Sequence, residues 1–175
     1  MRKILKSVLI LVAALSAGSI RATPPSGFLG TTLALGRFGN IDVKVRAFLP
    51  ESARPGKHKE DDDAFWSSIQ RTRGDSDLYV QNNVWAPGGT TGWHSHPGHS
   101  LIMVTSGAVT AYEADDPSCT PHVYTVGMGL VDAGGDHVHV LRNEGSVEAR
   151  TVAVQMVPAG ATRRIDAAAP FTCGF

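Results

Sequence analysis

Four of the seven histidines in the chain fall into two pairs of equal spacing, His94-Ser95-His96 and His137-Val138-His139. On a β-strand, side chains two residues apart leave the same face, their roots about 6–7 Å apart at a rise of ~3.3 Å per residue. Imidazoles set this way can converge on one metal ion with bonds of ~2.0–2.1 Å. Neutral imidazole suits zinc, iron, copper or nickel. Ordinary strand histidines are the alternative, and they require partners for every buried ring nitrogen. Two matched pairs in one strand-rich chain favour metal chemistry. Ser95 lies between two histidines but faces away from them, which removes a serine-hydrolase reading. Nucleophile-elbow, phosphate-loop and dinucleotide fingerprints are absent.

The elements that must carry these pairs are strands. Thr31–Leu35 and Ile41–Phe48 read as strands, the second alternating apolar and polar residues. From Asp77 onward the chain is β-rich: Leu78–Trp85, Ser100–Thr105, Ala108–Tyr112, His122–Val126, Leu130–Val131, His139–Arg142 and Arg150–Val157. Ser106-Gly107 marks a hairpin turn, and Gly127-Met128-Gly129 and Asn143-Glu144-Gly145 mark further turns. Thr23–Gly30 reads as an extended, Pro- and Gly-rich leader, and Pro50–Asp63 as a solvated loop. Its run Glu60-Asp61-Asp62-Asp63 lacks the glycine-bearing pattern of a calcium loop. Ala64–Arg71 is expected to form one or two helical turns capped by Asp63. Short strands with Gly-rich turns and almost no helix predict a sandwich or barrel.

Composition narrows the setting. Arg2, Lys3 and Lys6 precede an apolar run, Ser7–Ala17, and small residues follow, the layout of a secretory signal peptide over residues 1–22. The run is short for a bilayer, which takes ~20 apolar residues; an uncleaved anchor is the alternative. Without residues 1–22 the chain keeps 12 basic against 16 acidic residues. A mildly acidic protein has no electrostatic footprint for nucleic acid. An exported location, periplasmic or secreted, follows, with no stable membrane association after cleavage. Cys119 and Cys173 are the only cysteines, and in an exported chain a disulfide between them is expected, with two free thiols as the alternative.

One stretch has the spacing of a known motif: Gly88, five residues, His94-Ser95-His96, three residues, Ser100, six residues, Gly107. It resembles the first motif of the cupin superfamily, in which a glutamate stands where this chain has Ser100. The second cupin motif, a histidine followed after three residues by asparagine, is matched by His139 and Asn143. The turn before it, Asp132-Ala133-Gly134-Gly135-Asp136, lacks the usual proline, and counting from Gly134 would select His137 instead. The resemblance runs from about Asp77 to Val157, and the flanks look like those of small exported bacterial single-domain cupins.

The resemblance implies an all-β chain with a single jelly-roll barrel. The organisation expected is N-terminal strands and a polar loop over 23–76, the barrel over 77–158 and a tail over 159–175. It implies a divalent transition metal (Fe, Mn, Zn, Ni or Cu) on His94, His96 and His139, with His137 the alternative to His139. Serine is a poor ligand, so the carboxylate arm is expected to be missing, leaving either an open three-histidine centre or one that has lost its metal. Three-histidine iron sites occur in some cupin dioxygenases, notably thiol dioxygenases. Loss of the carboxylate raises the net charge at the metal, which favours an anionic substrate or bound hydroxide. Two functions follow: a metal-dependent dioxygenase acting on a small molecule, or a non-catalytic small-molecule binding or sensing module. Cupins also form homodimers, and the sequence leaves that open.

Several residues carry plainer expectations. Asp132 and Asp136 are expected at the mouth of the site and Glu113 at a strand end, with no carboxylate pointing inward as a base. Trp93 should face the core, and His99 the surface on the face opposite Ser100. His58 and His122 read as surface residues, and Tyr79, Trp85 and Met103 as cavity lining or barrel filling.

Overall fold

The computed structural model describes residues 22–53 and 65–175. Residues 1–21 of the expected signal peptide, His58 and the acidic run at 60–63 lie outside the described residues. Among the described residues twelve strands run in chain order: β1 Ser26–Phe38, β2 Asp42–Phe48, β3 Phe65–Arg71, β4 Ser76–Thr90, β5 His94–Ser95, β6 Ser100–Ser106, β7 Ala108–Glu113, β8 His122–Thr125, β9 Gly129–Asp132, β10 His139–Arg142, β11 Ala149–Pro158 and β12 Ile165–Asp166. The one helical element among the described residues is a single 3₁₀ turn at Glu51–Ala53. No helix there is long and apolar enough to cross a membrane.

Ten strands form one antiparallel sheet that curls into a nearly closed barrel. Its path runs β12-β5-β10-β4-β11-β6-β9, with β1 on β4, β7 on β10 and β8 on β7. Val104 of β6 exchanges backbone hydrogen bonds with Gly127 and Met128, which ties the β8–β9 turn back to the wall. Period-2 burial in β6 and β11 turns alternate side chains inward. The core they build joins Trp85, Ile102, Val104, Val109, Leu130 and Leu141, with Phe28 of β1 packed 4.4 Å from the Trp85 ring. Gly107 makes the β6–β7 turn at φ 67°, and a Cβ there would come within 2.9 Å of the Ala149 backbone.

The N-terminal third differs from expectation in one place. Phe65–Arg71 is a strand, not helical turns: it pairs in antiparallel register with β2, from Asp42↔Arg71 to Phe48↔Phe65. The apolar residues Phe65, Trp66 and Ile69 are β-formers, and pairing with β2 outweighs the isolated capping signal of Asp63. β1 is longer than the Thr31–Leu35 core of the reading, because the extended leader continues it along β4. Arg37 and Asp77 lock the two strands through paired hydrogen bonds of 2.8 and 2.9 Å. Arg37, joined by the Gly160 N–H, holds the Asp77 carboxyl down at about 2.

The C-terminal tail folds back onto the barrel, where β12 pairs with β5. Cys119 and Cys173 are joined in a disulfide. Cys173 is buried beside Trp93, Tyr112 and Val140 in a second small core, and the Phe175 ring stacks 6.3 Å from Trp93. Trp93 thus packs in a core, as expected. The bridge closes a loop of 54 residues, a span whose crosslink contributes about 4 kcal/mol in chain-entropy terms. Replacing both cysteines by serine should lower unfolding free energy by about 2–5 kcal/mol. Denaturant melts of both proteins check this; equal midpoints would show that the bridge does not restrain the chain.

Candidate metal centre

β5 and β10 are neighbours, and their register sets His94 directly opposite His139. His96 follows two residues after His94 on the same face. The rings of His94 and His96 lie 4.6 Å apart, those of His94 and His139 4.5 Å, and those of His96 and His139 5.6 Å. One ring nitrogen from each histidine lies within 4.8 Å of the other two.

Backbone carbonyls set the direction of all three rings. His94 Nδ1 donates to the Gly92 carbonyl at 2.8 Å, His96 Nδ1 to the Arg163 carbonyl, and His139 Nδ1 to the His137 carbonyl at 3.3 Å. A neutral imidazole that donates from Nδ1 has its lone pair on Nε2. This carbonyl-backed arrangement is the usual outer support of metal-ligating histidines. His139 Nε2 is buried without any hydrogen-bond partner. An orphaned lone pair inside a protein is costly unless something fills it, so the donor set fits a divalent transition metal.

Burial also governs charge. It pushes His94 down to about 2, and the neighbouring His139, Arg164 and His96 add to that effect. His139 is pushed down to about 4, again by burial first, against the opposing pull of Asp132. Both rings are therefore neutral, ligand-ready bases at neutral pH.

The carboxylate near the centre comes from an unexpected strand. Asp132, expected at the mouth, is instead buried at 3% exposure. β6 pairs with β9 so that Ser100 sits opposite Asp132, and Ser100 Oγ donates to Asp132 Oδ2 at 3.1 Å. Asp132 Oδ1 accepts the Gly134 N–H at 2.9 Å. The carboxylate then lies 3.5 Å from His96 Nε2 and 3.7 Å from His139 Nδ1. It steadies two of the rings, while the converging donor group itself comprises the histidines alone. The strand pattern Leu130–Val131 stops one residue short of Asp132, and only the β6–β9 register reveals the pairing. Gly134 makes the turn at φ 72°, and a Cβ there would collide with the Gly98 carbonyl.

The three histidines line a cavity of about 250 Å³ with Phe28, Gln81, Asn83, Trp85, Arg163 and Arg164 among its walls. His137, the alternative to His139 in the sequence, does not line it; its Nε2 instead approaches Glu113 Oε2 at 3.1 Å. His99 and His122 are exposed, as expected. The motif asparagine is structural: Asn143 is buried and its Nδ2 faces the carbonyls of Trp85, Ala86 and Val147 at 2.8–3.2 Å. It pins the turn that follows β10, and so the strand that carries His139.

An antiparallel barrel with the first histidine pair on and just after β5, its partner on β10 and a pinning asparagine just beyond settles the architecture. The fold is a cupin jelly roll. No family model matches the chain, and no curated protein matches it. Among solved structures, the chain overlaps an oxalate oxidase at 25% identity and a TM-score of 0.40, covering 47% of this chain and 46% of that one. The overlap thus spans under half of the oxalate oxidase. A conserved double-stranded β-helix protein from Klebsiella pneumoniae overlaps at 22% identity and a TM-score of 0.41, over 53% of this chain and 74% of that one. A Cupin_2 domain of an XRE family transcriptional regulator from Enterobacter cloacae overlaps at 14% identity and a TM-score of 0.41, over 74% and 96%. Overlaps this partial say nothing of chemistry.

The depressed imidazoles give a pH dependence with a definite sign. Below pH ~6.5 the unfolded chain takes up protons that folded His94 and His139 refuse until about 2 and about 4. Stability of the metal-free protein is therefore complete above pH ~6.5 and falls as pH drops below it, by about 2 kcal/mol per ring at pH 5. Urea melts of chelator-treated protein at pH 7 and pH 5 should show this loss, and His94→Gln should roughly halve it. A flat profile in wild type would contradict the buried, neutral assignment.

Proposed function

We propose that the chain is an exported cupin whose His94, His96 and His139 hold one divalent transition metal, and that it acts as an oxygenase on a small anionic molecule. The observation that carries the metal assignment is the shared tautomer: three Nδ1 atoms committed to carbonyls leave the lone pairs on Nε2, one ring nitrogen of each histidine lies within 4.8 Å of the other two, and His139 Nε2 is buried without a partner. The disulfide and the leader-like start of the sequence support export.

A metal bound there would supply Lewis acidity and, if redox-active, electron exchange with dioxygen. The chain's own residues would do the rest. Arg164 lines the cavity with Nη2 buried and unpartnered, although its Nε is paired with Asp166. A carboxylate or comparable anion would satisfy it by a charge-assisted hydrogen bond. Arg163 is held by Gln155 at 2.9 Å and over the Tyr79 ring at 4.0 Å, which places a second positive charge on the same wall. The Asn83 Oδ1 is a further buried acceptor without a partner in the cavity. Phe28 and Trp85 exclude water from the apolar side.

A non-catalytic binding or sensing cupin is the second reading. It is favoured by Asp132, whose two oxygens are already engaged by Ser100 and Gly134, leaving no free base in the cavity. Metal content and oxygen uptake separate the two. Untagged protein should carry about one metal per chain, and His94→Ala and His139→Ala should each lose at least about tenfold in metal affinity. Loaded protein should consume oxygen with carboxylate-bearing thiols, and Arg164→Gln should raise KM for them about tenfold or more while leaving neutral thiols unaffected. Metal retention by both histidine variants would sink the centre. Metal without oxygen uptake across thiol and diketone panels would select the binding module.

A further inference from the structure

A second cluster of metal-ligating side chains lies just outside the three-histidine centre. Glu113 ends β7 and sits in register opposite His139 of β10, so both side chains leave the same face. His137 stands two residues before His139 and joins that face, its ring 5.9 Å from the His139 ring and near-parallel to it. One donor atom from each of Glu113, His137 and His139 lies within 4.8 Å of the other two.

The internal geometry of this group, an ion pair between His137 and Glu113 included, fits the ligands of one ion. His137 Nε2 and Glu113 Oε2 are 3.1 Å apart, yet Glu113 Oε2 is buried with no hydrogen-bond partner. Donor atoms on a tetrahedral ion with bonds of ~2.0–2.1 Å are separated by about 3.3 Å. His137 Nδ1 is likewise buried and unpartnered. Three of the six orphaned buried polar atoms among the described residues thus belong to Glu113, His137 and His139.

Charge separates this cluster from the main cavity. His137 opens onto a cleft of about 230 Å³ lined by Ala114, Asp115, Asp136 and Val138, with two carboxylates and no Lys or Arg. The main cavity is lined by Arg163 and Arg164. A cation is drawn toward the acidic cleft and repelled from the arginine-lined wall, and an anion the reverse. His139 belongs to both groups.

We infer that Glu113, His137 and His139 form a second, outer site for a divalent transition metal, at which the ion docks before passing to His94 and His96 with His139 retained as a ligand. This rests on the three-histidine reading. The acidic cleft would then admit the metal and the arginine-lined cavity the substrate, so neither blocks the other.

Co²⁺ added to chelator-treated, full-length protein tests the inference, followed by stopped-flow absorbance and by equilibrium titration. Glu113→Gln/His137→Asn alters partly exposed residues and leaves the inner donors intact. It should slow Co²⁺ loading at least tenfold while keeping one Co²⁺ per chain. An unchanged loading rate overturns the outer site. His94→Gln/His96→Gln, checked for folding by circular dichroism, should still bind one Co²⁺, more weakly, and adding Glu113→Gln should abolish that binding. No Co²⁺ in the folded double variant also overturns it. Should wild type bind no Co²⁺ at all, both readings fall; should His94→Gln/His96→Gln bind as tightly as wild type, the inner centre falls and the outer site stands.

Discussion

Setting three imidazoles side by side, two of them buried, is the constraint on which the rest of the structure depends. Water is excluded from the His94 and His139 rings, so their protonation is disfavoured and their ring nitrogens must be satisfied from within. The chain meets half of that demand with backbone carbonyls at Gly92, Arg163 and His137. The other half, the inward Nε2 atoms, is met by no protein donor in the case of His139. A cavity that leaves such atoms bare is organised for a guest.

Much of the surrounding architecture holds those carbonyls in place. Arg163 belongs to the tail, and its carbonyl reaches His96 because β12 pairs with β5, Asp166 opposite His94 and Ile165 opposite Ser95. Trp93 donates to the tail through its indole, to the carbonyl of Phe175 at 3.3 Å, and accepts from Ala167 N–H at 2.9 Å. The disulfide anchors the same tail to the loop after β7. A crosslink far from the histidines in sequence therefore sits within the frame that aims one of them. Asn143 plays the matching part on the other side, fixing the end of β10.

The barrel was legible in the sequence because alternation, glycine turns and paired histidines all point the same way. Strands such as β6, β7, β10 and β11 begin and end within a residue or so of where their patterns do. The clustering of the three histidines was legible because i, i+2 spacing on a strand is geometry, and the spacing to Asn143 favours His139 over His137. Phe65–Arg71 was misread because a short apolar stretch has no decisive period, and its partner β2 lies across a long sequence gap. Asp132 was misread because its burial is a product of register. Serine at position 100 looks like a lost carboxylate until the strand beside it supplies one that hydrogen-bonds to that very hydroxyl. The tail's role was invisible for the same reason: no local pattern announces which carbonyl will meet His96.

The central claim is that one metal is held by the Nε2 atoms of His94, His96 and His139. Anomalous diffraction from crystals of the metal-loaded protein, collected on both sides of the metal's absorption edge, tests it most directly. The account predicts one strong peak per chain at about 2.0–2.1 Å from all three Nε2 atoms, with each Nδ1 still on its carbonyl. A peak bound through Nδ1 or away from His94 and His96, or fully loaded protein with no peak in the barrel, would contradict it.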